Sequence, residues 1–206
     1  LIKISEGDIP SVKQMVRQTP GILNQKDQDG DTCIDYAIGH KQPELVEWML
    51  GYNPDLTTQN KDGDISLKLA IIKGQSELAK RMIKKKPALL NIKNDNGVTV
   101  LMQAIYYNKF DIIEYMLGFN PDLTIQTKSG ETACALALFK KNNTLAKQMI
   151  KKHPELLRIQ TKNGQSPLMI AIESKAYNFA KWMIDKDPNI LTQIDQDGHT
   201  ALFYAL

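Results

Sequence analysis

Three histidines, two cysteines and one dense run of carboxylates are the side chains of this sequence best suited to metal binding or covalent catalysis. His40, His153 and His199 lie far apart at unrelated positions. A metal site needs several ligands converging on one point, so no zinc centre is expected. Cys33 and Cys134 each sit inside a helical apolar pattern with no partner histidine, which reads as buried, reduced thiols rather than a disulfide or a nucleophile. Asp27, Asp29 and Asp31 look like the start of a calcium loop, but Ile38 stands where the closing Glu of such a loop belongs. What remains is a solvated acidic turn. Every glycine that marks a turn recurs alone, so no Gly-rich phosphate cradle is present. No catalytic residue, cofactor or small-molecule substrate is therefore expected.

The elements behind these residues belong to a globular chain: 42% hydrophobic and 24% charged residues argue against disorder and against a collagen-like or disulfide-rich scaffold. No apolar run approaches the roughly 20 residues needed to cross a bilayer, and Leu1-Ile2-Lys3-Ile4-Ser5 lacks the basic-then-apolar order of a signal peptide. The net charge of +3 is too small to imply nucleic acid, but it is unevenly spread. Residues 1–64 carry an acidic excess of five, and the chain from Ile65 onward a basic excess of eight.

Internal periodicity decides the fold. Gly30, Gly63, Gly97, Gly130, Gly164 and Gly198 recur every 33 or 34 residues, and Ala37, Ala70, Ala104, Ala137, Ala171 and Ala205 come seven residues after them each time. Met15, Met49, Met82, Met116, Met149 and Met183 keep the same spacing in a second phrase and are expected to be core. Asp, Asn or Ser precedes each Gly, a pairing that tolerates positive φ at a hairpin tip. A Thr or Ser two residues later (Thr32, Thr99, Thr132, Ser166, Thr200) can cap a first helix. Gly74 or Asn108 suits the left-handed residue that ends it. The second helix, as in PELVEWML, SELAKRMI and FDIIEYML, has apolar residues at i, i+1, i+4 and i+5. Pro54, Pro87, Pro121, Pro154 and Pro188 then send the chain into an extended loop. Short loops, GYNPDLTTQNKDG and GFNPDLTIQTKSG, alternate with longer ones such as KKKPALLNIKNDNG, as if the array grew by duplicating pairs.

These residues resemble the ankyrin repeat, whose period is about 33 residues and whose signature is T-P-L-H-x-A. Ser166-Pro167-Leu168-Met169-Ile170-Ala171 matches best, and Thr99-Val100-Leu101-Met102 and Thr200-Ala201-Leu202-Phe203 match more loosely. The signature His, which in the family helps tie adjacent repeats, is replaced by Asp35, Lys68, Met102, Ala135, Met169 and Phe203. The resemblance implies an all-α ankyrin-repeat solenoid of stacked helix-turn-helix units with short β-hairpin-like loops. One domain over residues 1–206 is expected: a partial repeat 1–29, repeats 30–62, 63–96, 97–129, 130–163 and 164–197, and a partial repeat 198–206. Apolar Leu202, Phe203 and Leu206 do not suit a capping repeat, so the sequence reads as a piece of a longer protein.

In ankyrin-like proteins the hairpin tips and the ends of the first helices line a concave face. Here the helix ends supply Ile72, Lys73, Tyr106, Tyr107, Phe139 and Lys140, and the tips supply Lys61, Asp62, Asp95, Asn96, Lys128 and Ser129. An exposed Ile, two Tyr and a Phe in consecutive repeats have the composition of an interface core. The expected function is a scaffold binding a partner protein there. The alternative is a targeting module of a larger enzyme or secreted effector whose catalytic part lies elsewhere. Lys80, Arg81, Lys84, Lys85 and Lys86, with Lys147, Lys151 and Lys152, form a candidate basic stripe. Nucleic acid or anionic lipid is not expected on it, because aromatic interleaving is missing and cations near helix C-termini are favoured by the dipole. A cytoplasmic location is expected, or the host cytosol if the protein is a bacterial effector, since a composition rich in Lys, Asn, Gln and Ile suits an intracellular bacterium or a protist.

Overall fold

The computed structural model describes Ile4 and residues 6–206. The stretch from Leu1 to Gly7, which reads in sequence as opening just before a helix turn, falls largely outside these residues; Ile4 is helical and buried. Among the described residues eleven α-helices are interspersed with five 3-10 turns: α1 (Ile9–Gln18), α2 (Cys33–Gly39), α3 (Pro43–Leu50), α4 (Ser66–Ile72), α5 (Ser76–Lys85), α6 (Val100–Tyr106), α7 (Phe110–Leu117), α8 (Ala133–Phe139), α9 (Asn143–Lys152), α10 (Pro167–Glu173) and α11 (Tyr177–Lys186). Strand geometry is confined to isolated antiparallel bridges at the hairpins, Gln59 with Ile65, Lys93 with Thr99 and Ile194 with Thr200.

The chain divides into two compact units, Leu1–Pro121 and Asp122–Leu206. In the first, α2 pairs with α3, α4 with α5 and α6 with α7, while α4 packs against both α2 and α6, and α5 against α7. In the second, α8 pairs with α9 and α10 with α11, and α8 packs on α10.

The first helices start as their sequence expects. Thr99 Oγ1, Thr132 Oγ1 and Ser166 Oγ accept the backbone N–H three residues on, at 3.4, 3.2 and 3.3 Å. Where the family signature places His, several side chains bond back to the cap. The Asp35 carboxylate accepts the Thr32 N–H at 2.8 Å. The thioethers of Met102 and Met169 accept the N–H groups of Thr99 and Ser166 at 3.5 and 3.4 Å. Gly74 and Asn108 end their helices with φ of 72° and 54° as expected. Lys41, Lys141 and Lys175 occupy the same left-handed position with φ of 54°, 57° and 61°.

The second helices bury their i, i+1, i+4, i+5 stripe, for example Ile112, Ile113, Met116 and Leu117 on α7. Met49, Met82, Met116, Met149 and Met183 are fully buried, as are Ala37, Ala70, Ala104, Ala137 and Ala171. The ends of both columns depart from expectation: Met15 is 41% exposed and Ala205 is exposed. Each has a described repeat on one side only. Met15 lies in α1, whose Lys13 and Arg17 reach Trp48 on α3, and Ala205 closes a short 3-10 turn.

Proline does end the second helices, but the chain does not pass straight into an extended loop. Pro20, Pro87, Pro154 and Pro188 each open a five-residue 3-10 turn that buries one or two aliphatic residues, such as Leu89 and Leu90 or Leu156 and Leu157. The two short loops turn instead at Asn53 and Asn120, with φ of 51° and 48°, and bury one leucine each, Leu56 and Leu123, the second burying Pro121 beside it. These two constructions give the long and short loops, which alternate up to Pro154; the last loop, at Pro188, breaks the alternation and is long again.

Candidate protein-binding surface

Each hairpin tip is closed by the residue three before its Gly. Asp27 Oδ1 accepts the N–H groups of Asp29 and Asp31 at 2.8 and 2.9 Å. Asn60 accepts those of Asp62 and Asp64, Asn94 those of Asn96 and Val98, and Asp195 those of Asp197 and His199. Within each unit neighbouring tips are joined by main-chain bonds. In the first unit Lys61 N–H donates to Asp29 C=O at 2.9 Å and Asp95 N–H to Asp62 C=O at 3.3 Å; in the second, Lys162 N–H donates to Ser129 C=O at 2.8 Å and Gln196 N–H to Asn163 C=O at 3.0 Å. A second row, missed by the sequence reading, lies four residues before Gly63, Gly130 and Gly164. Gln59 donates its amide to Lys93 C=O at 2.8 Å, Gln126 to Gln160 C=O at 2.9 Å and Gln160 to Ile194 C=O at 2.8 Å. These glutamines tie adjacent repeats in an array that has lost the signature His. Their recurrence at the repeat period was the available signal.

In the first unit, Lys61, Asp62, Asp95 and Asn96 are all exposed on these fixed tips. The Lys61 ammonium lies 3.3 Å from the Asp29 carboxylate, an exposed pair worth about 0–1 kcal/mol. Tyr106 and Tyr107 end α6 at 57% and 49% exposure, their rings edge-on with centroids 5.2 Å apart. Lys73 is exposed, whereas Ile72 is half-buried because α4 has a helix on either flank. Phe110, 53% exposed at the start of α7, joins the two tyrosines as a third surface aromatic. The sequence reading passed over it, although it stands where α3, α5 and α9 begin with Pro43, Ser76 and Asn143.

In the second unit, Phe139 (42% exposed) and Lys140 end α8, and Lys128 and Ser129 are exposed at the tip. Ser129 Oγ donates to Glu131 at 2.8 Å.

The basic stripe is largely spoken for in the first unit. Lys80 pairs with Glu77, Arg81 with Glu47 and Lys86 with Asp55, and Lys85 donates to Asn53. In the second unit Lys147 lies over the Trp182 ring, 4.9 Å from its centroid. Lys13 over Trp48 and Lys80 over Tyr115 repeat this contact at intervals of 67 residues.

Of the residues suited to chemistry, Cys33 and Cys134 are buried and unbridged. Burial pushes both thiols up, Cys134 to about 12, which leaves them protonated and poorly nucleophilic. Asp195, Asp197 and His199 bring ligand atoms within 4.8 Å of one another, a grouping the sequence reading did not anticipate. The Asp195 carboxylate is already occupied: Tyr204 donates to it at 2.6 Å, alongside the two tip N–H groups, and these bonds hold its pKa below the usual range despite opposing desolvation. Asp27 is held in the same way by Tyr36 at 2.8 Å. The grouping is therefore the recurrent tip turn, built with acidic residues.

Among the described residues no helix is long and apolar enough to cross a membrane. No curated protein matches the sequence. The chain is similar in fold to the ankyrin repeat domain of Bcl-3, described as a unique member of the IkappaB protein family, with a TM-score of 0.80 and 19% identity over 100% of this chain and 92% of that one. It is also similar to a chain in the structure of the Bd0816 predatory endopeptidase from Bdellovibrio bacteriovorus in complex with immunity protein Bd3460, with a TM-score of 0.70 and 22% identity over 88% of this chain and 92% of that one. These likenesses match the all-α ankyrin-repeat fold expected from the sequence. The family described as ankyrin repeats (3 copies) matches at residues 34–127, 67–157 and 133–206. Ankyrin repeats are a non-catalytic module that generally mediates protein–protein interaction. The chain belongs to the ankyrin repeat family.

Proposed function

We propose that this protein is an interaction scaffold that holds a partner protein against the face made by its hairpin tips and first-helix ends, the concave face of the family. One observation carries the reading: Tyr106, Tyr107 and Phe110 expose three rings within five residues, on a turn fixed by Asn108 in the left-handed conformation. Exposed aromatics held on a rigid element lose little freedom on binding and dominate interface energetics. Lys73 at a first-helix end and Lys61, Asp62, Asp95 and Asn96 on the tips of the same unit supply polar contacts that select the partner. In the second unit Phe139 and Lys140, with Lys128 and Ser129, repeat the combination on a smaller scale.

The test is capture of a partner from cell lysate with the intact chain beside a Tyr106→Ala/Tyr107→Ala variant, followed by affinity measurement. A loss of more than about 2 kcal/mol with an unchanged thermal midpoint is expected for a pair of central aromatic anchors. Undiminished binding by the variant would remove this face from the function.

A further inference from the structure

The second unit carries a groove of about 650 Å³ between α9 and α11, within the size range of roughly 300–1,000 Å³ typical of ligand pockets. Ile150 and Leu157, each 2% exposed, line its apolar part beside Trp182, and Lys151 and Lys186 stand at its rim.

The repeat itself explains why the groove is open. In the first unit Trp48 is covered by Tyr52, one turn later on the chain, with ring centroids 4.8 Å apart and tilted by 56°. Tyr115 is covered in the same way by Phe119, at 5.1 Å and 56°. Trp182 is the third member of this series, 67 residues after Tyr115, and the residue one turn later is Lys186. An aromatic ring that the other two copies supply from their own chain is replaced by an ammonium group. Trp182 itself is already set in place by Lys147 and by Phe179, which stacks on it at 5.3 Å.

The charges around the groove differ from the earlier copies too. Arg158 and Asp187 replace Asn91 and Asn120, and they satisfy each other at 2.7 Å. Glu155 is engaged by His153 at 3.0 Å. Among the described residues Lys151 and Lys186 have no carboxylate within ion-pair distance, so the rim presents two cations beside an apolar slot.

We propose that this groove receives an acidic peptide segment carrying one aromatic side chain. The ring lies against Trp182 where Tyr52 and Phe119 lie in their own copies, and flanking carboxylates meet Lys151 and Lys186. A recessed slot between two helices admits a side chain and not the plane of a bilayer, which favours a peptide over an anionic membrane. The proposal is independent of the Tyr106 surface.

Fluorescence of Trp182 in a Trp48→Phe background tests it, since these are the only tryptophans. The probes are the capped peptide Glu-Glu-Phe-Glu-Glu, its Glu-Glu-Ala-Glu-Glu and Lys-Lys-Phe-Lys-Lys counterparts, and phosphatidylserine vesicles. A saturable change with the first peptide alone is expected, weakened at least tenfold by Lys186→Phe, which refills the slot as the other copies do. A Lys151→Gln/Lys186→Gln variant, which keeps the slot and removes the charges, should weaken it similarly. Equal responses to the Phe and Ala peptides, undiminished binding by Lys186→Phe, or a response to vesicles that exceeds the response to the peptide would each overturn the proposal.

Discussion

The side-chain amide of Gln103 donates to Asp64 at 2.9 Å across 39 residues of sequence, and both side chains are buried. Asn94 Nδ2 reaches the same carboxylate oxygen at 3.0 Å, and Lys68 pairs with the other. One acidic group thus joins the tip of one repeat to the tip and first helix of the next. Burial pushes the Asp64 pKa up, but the bonds from Lys68, Gln103 and Asn94 together outweigh it, and the net direction is down.

A pKa lower in the folded than in the unfolded chain stabilises the fold above the unfolded value and loses that contribution as pH falls through the folded value. Asp64→Asn should therefore destabilise the protein at pH 7 by about 1.5 to 3 kcal/mol, the range for hydrogen bonds to a charged group. The difference from the parent, read by urea denaturation at pH 7, 5 and 3, should shrink as the pH falls. A constant difference would mean that the charge is not what holds Gln103 and Lys68.

Met116 and Met15 share a register but not an environment, since one is fully buried and the other 41% exposed. Truncating Met116 to Ala should cost about 2 to 5 kcal/mol by leaving a cavity, whereas Met15→Ala should stay within about 0.5 kcal/mol. Thermal midpoints for the two variants check this directly; equal shifts would contradict the burial pattern.

Lys175 ends α10 in the left-handed region, where an L-residue pays about 1–2 kcal/mol that glycine does not. Lys175→Gly should raise stability by up to about 1 kcal/mol, the gain reduced by the extra freedom of glycine in the unfolded chain. A lower denaturation midpoint would show that the Lys175 side chain contributes more than its backbone strain removes.

Gly164 combines a φ of 80° with close approach of the next tip: a Cβ there would lie 2.6 Å from Asp195 Cα. Gly164→Ala should destabilise the second unit through both the backbone and the clash, by more than about 1 kcal/mol. Hydrogen exchange at the Gln196 amide, which bonds to the neighbouring tip, should quicken in the variant. Unaltered exchange would place the strain elsewhere.

Much of this architecture was legible because the repeat writes the same instruction several times. Gly, Ala and Met at fixed spacing gave the tips, the close helix contacts and the core, and the i, i+1, i+4, i+5 stripe gave the buried face. The features that escaped depend on neighbours in space. Ile72 and Met15 have repeat positions like their counterparts, yet their exposure depends on which helices flank them. The 3-10 turns after Pro20, Pro87, Pro154 and Pro188 were hidden because proline reports where a helix ends and not the conformation of the chain beyond it. The open slot beside Trp182 becomes visible only once Tyr52 is seen to cover Trp48. The candidate binding residues were legible as exposed positions, with Ile72 the exception, and Phe110 was overlooked because it begins a helix and does not end one.

One set of bonds between neighbouring tips runs from backbone N–H to backbone C=O, as at Lys61 with Asp29 and Lys162 with Ser129. Any residue with a peptide N–H can therefore occupy the donor position, and any residue at all the acceptor position, without breaking the link. Evolution can rewrite the outermost side chains, or copy a whole unit, while the joints stay intact. A surface of this kind can change its recognition target by mutations that leave folding almost untouched.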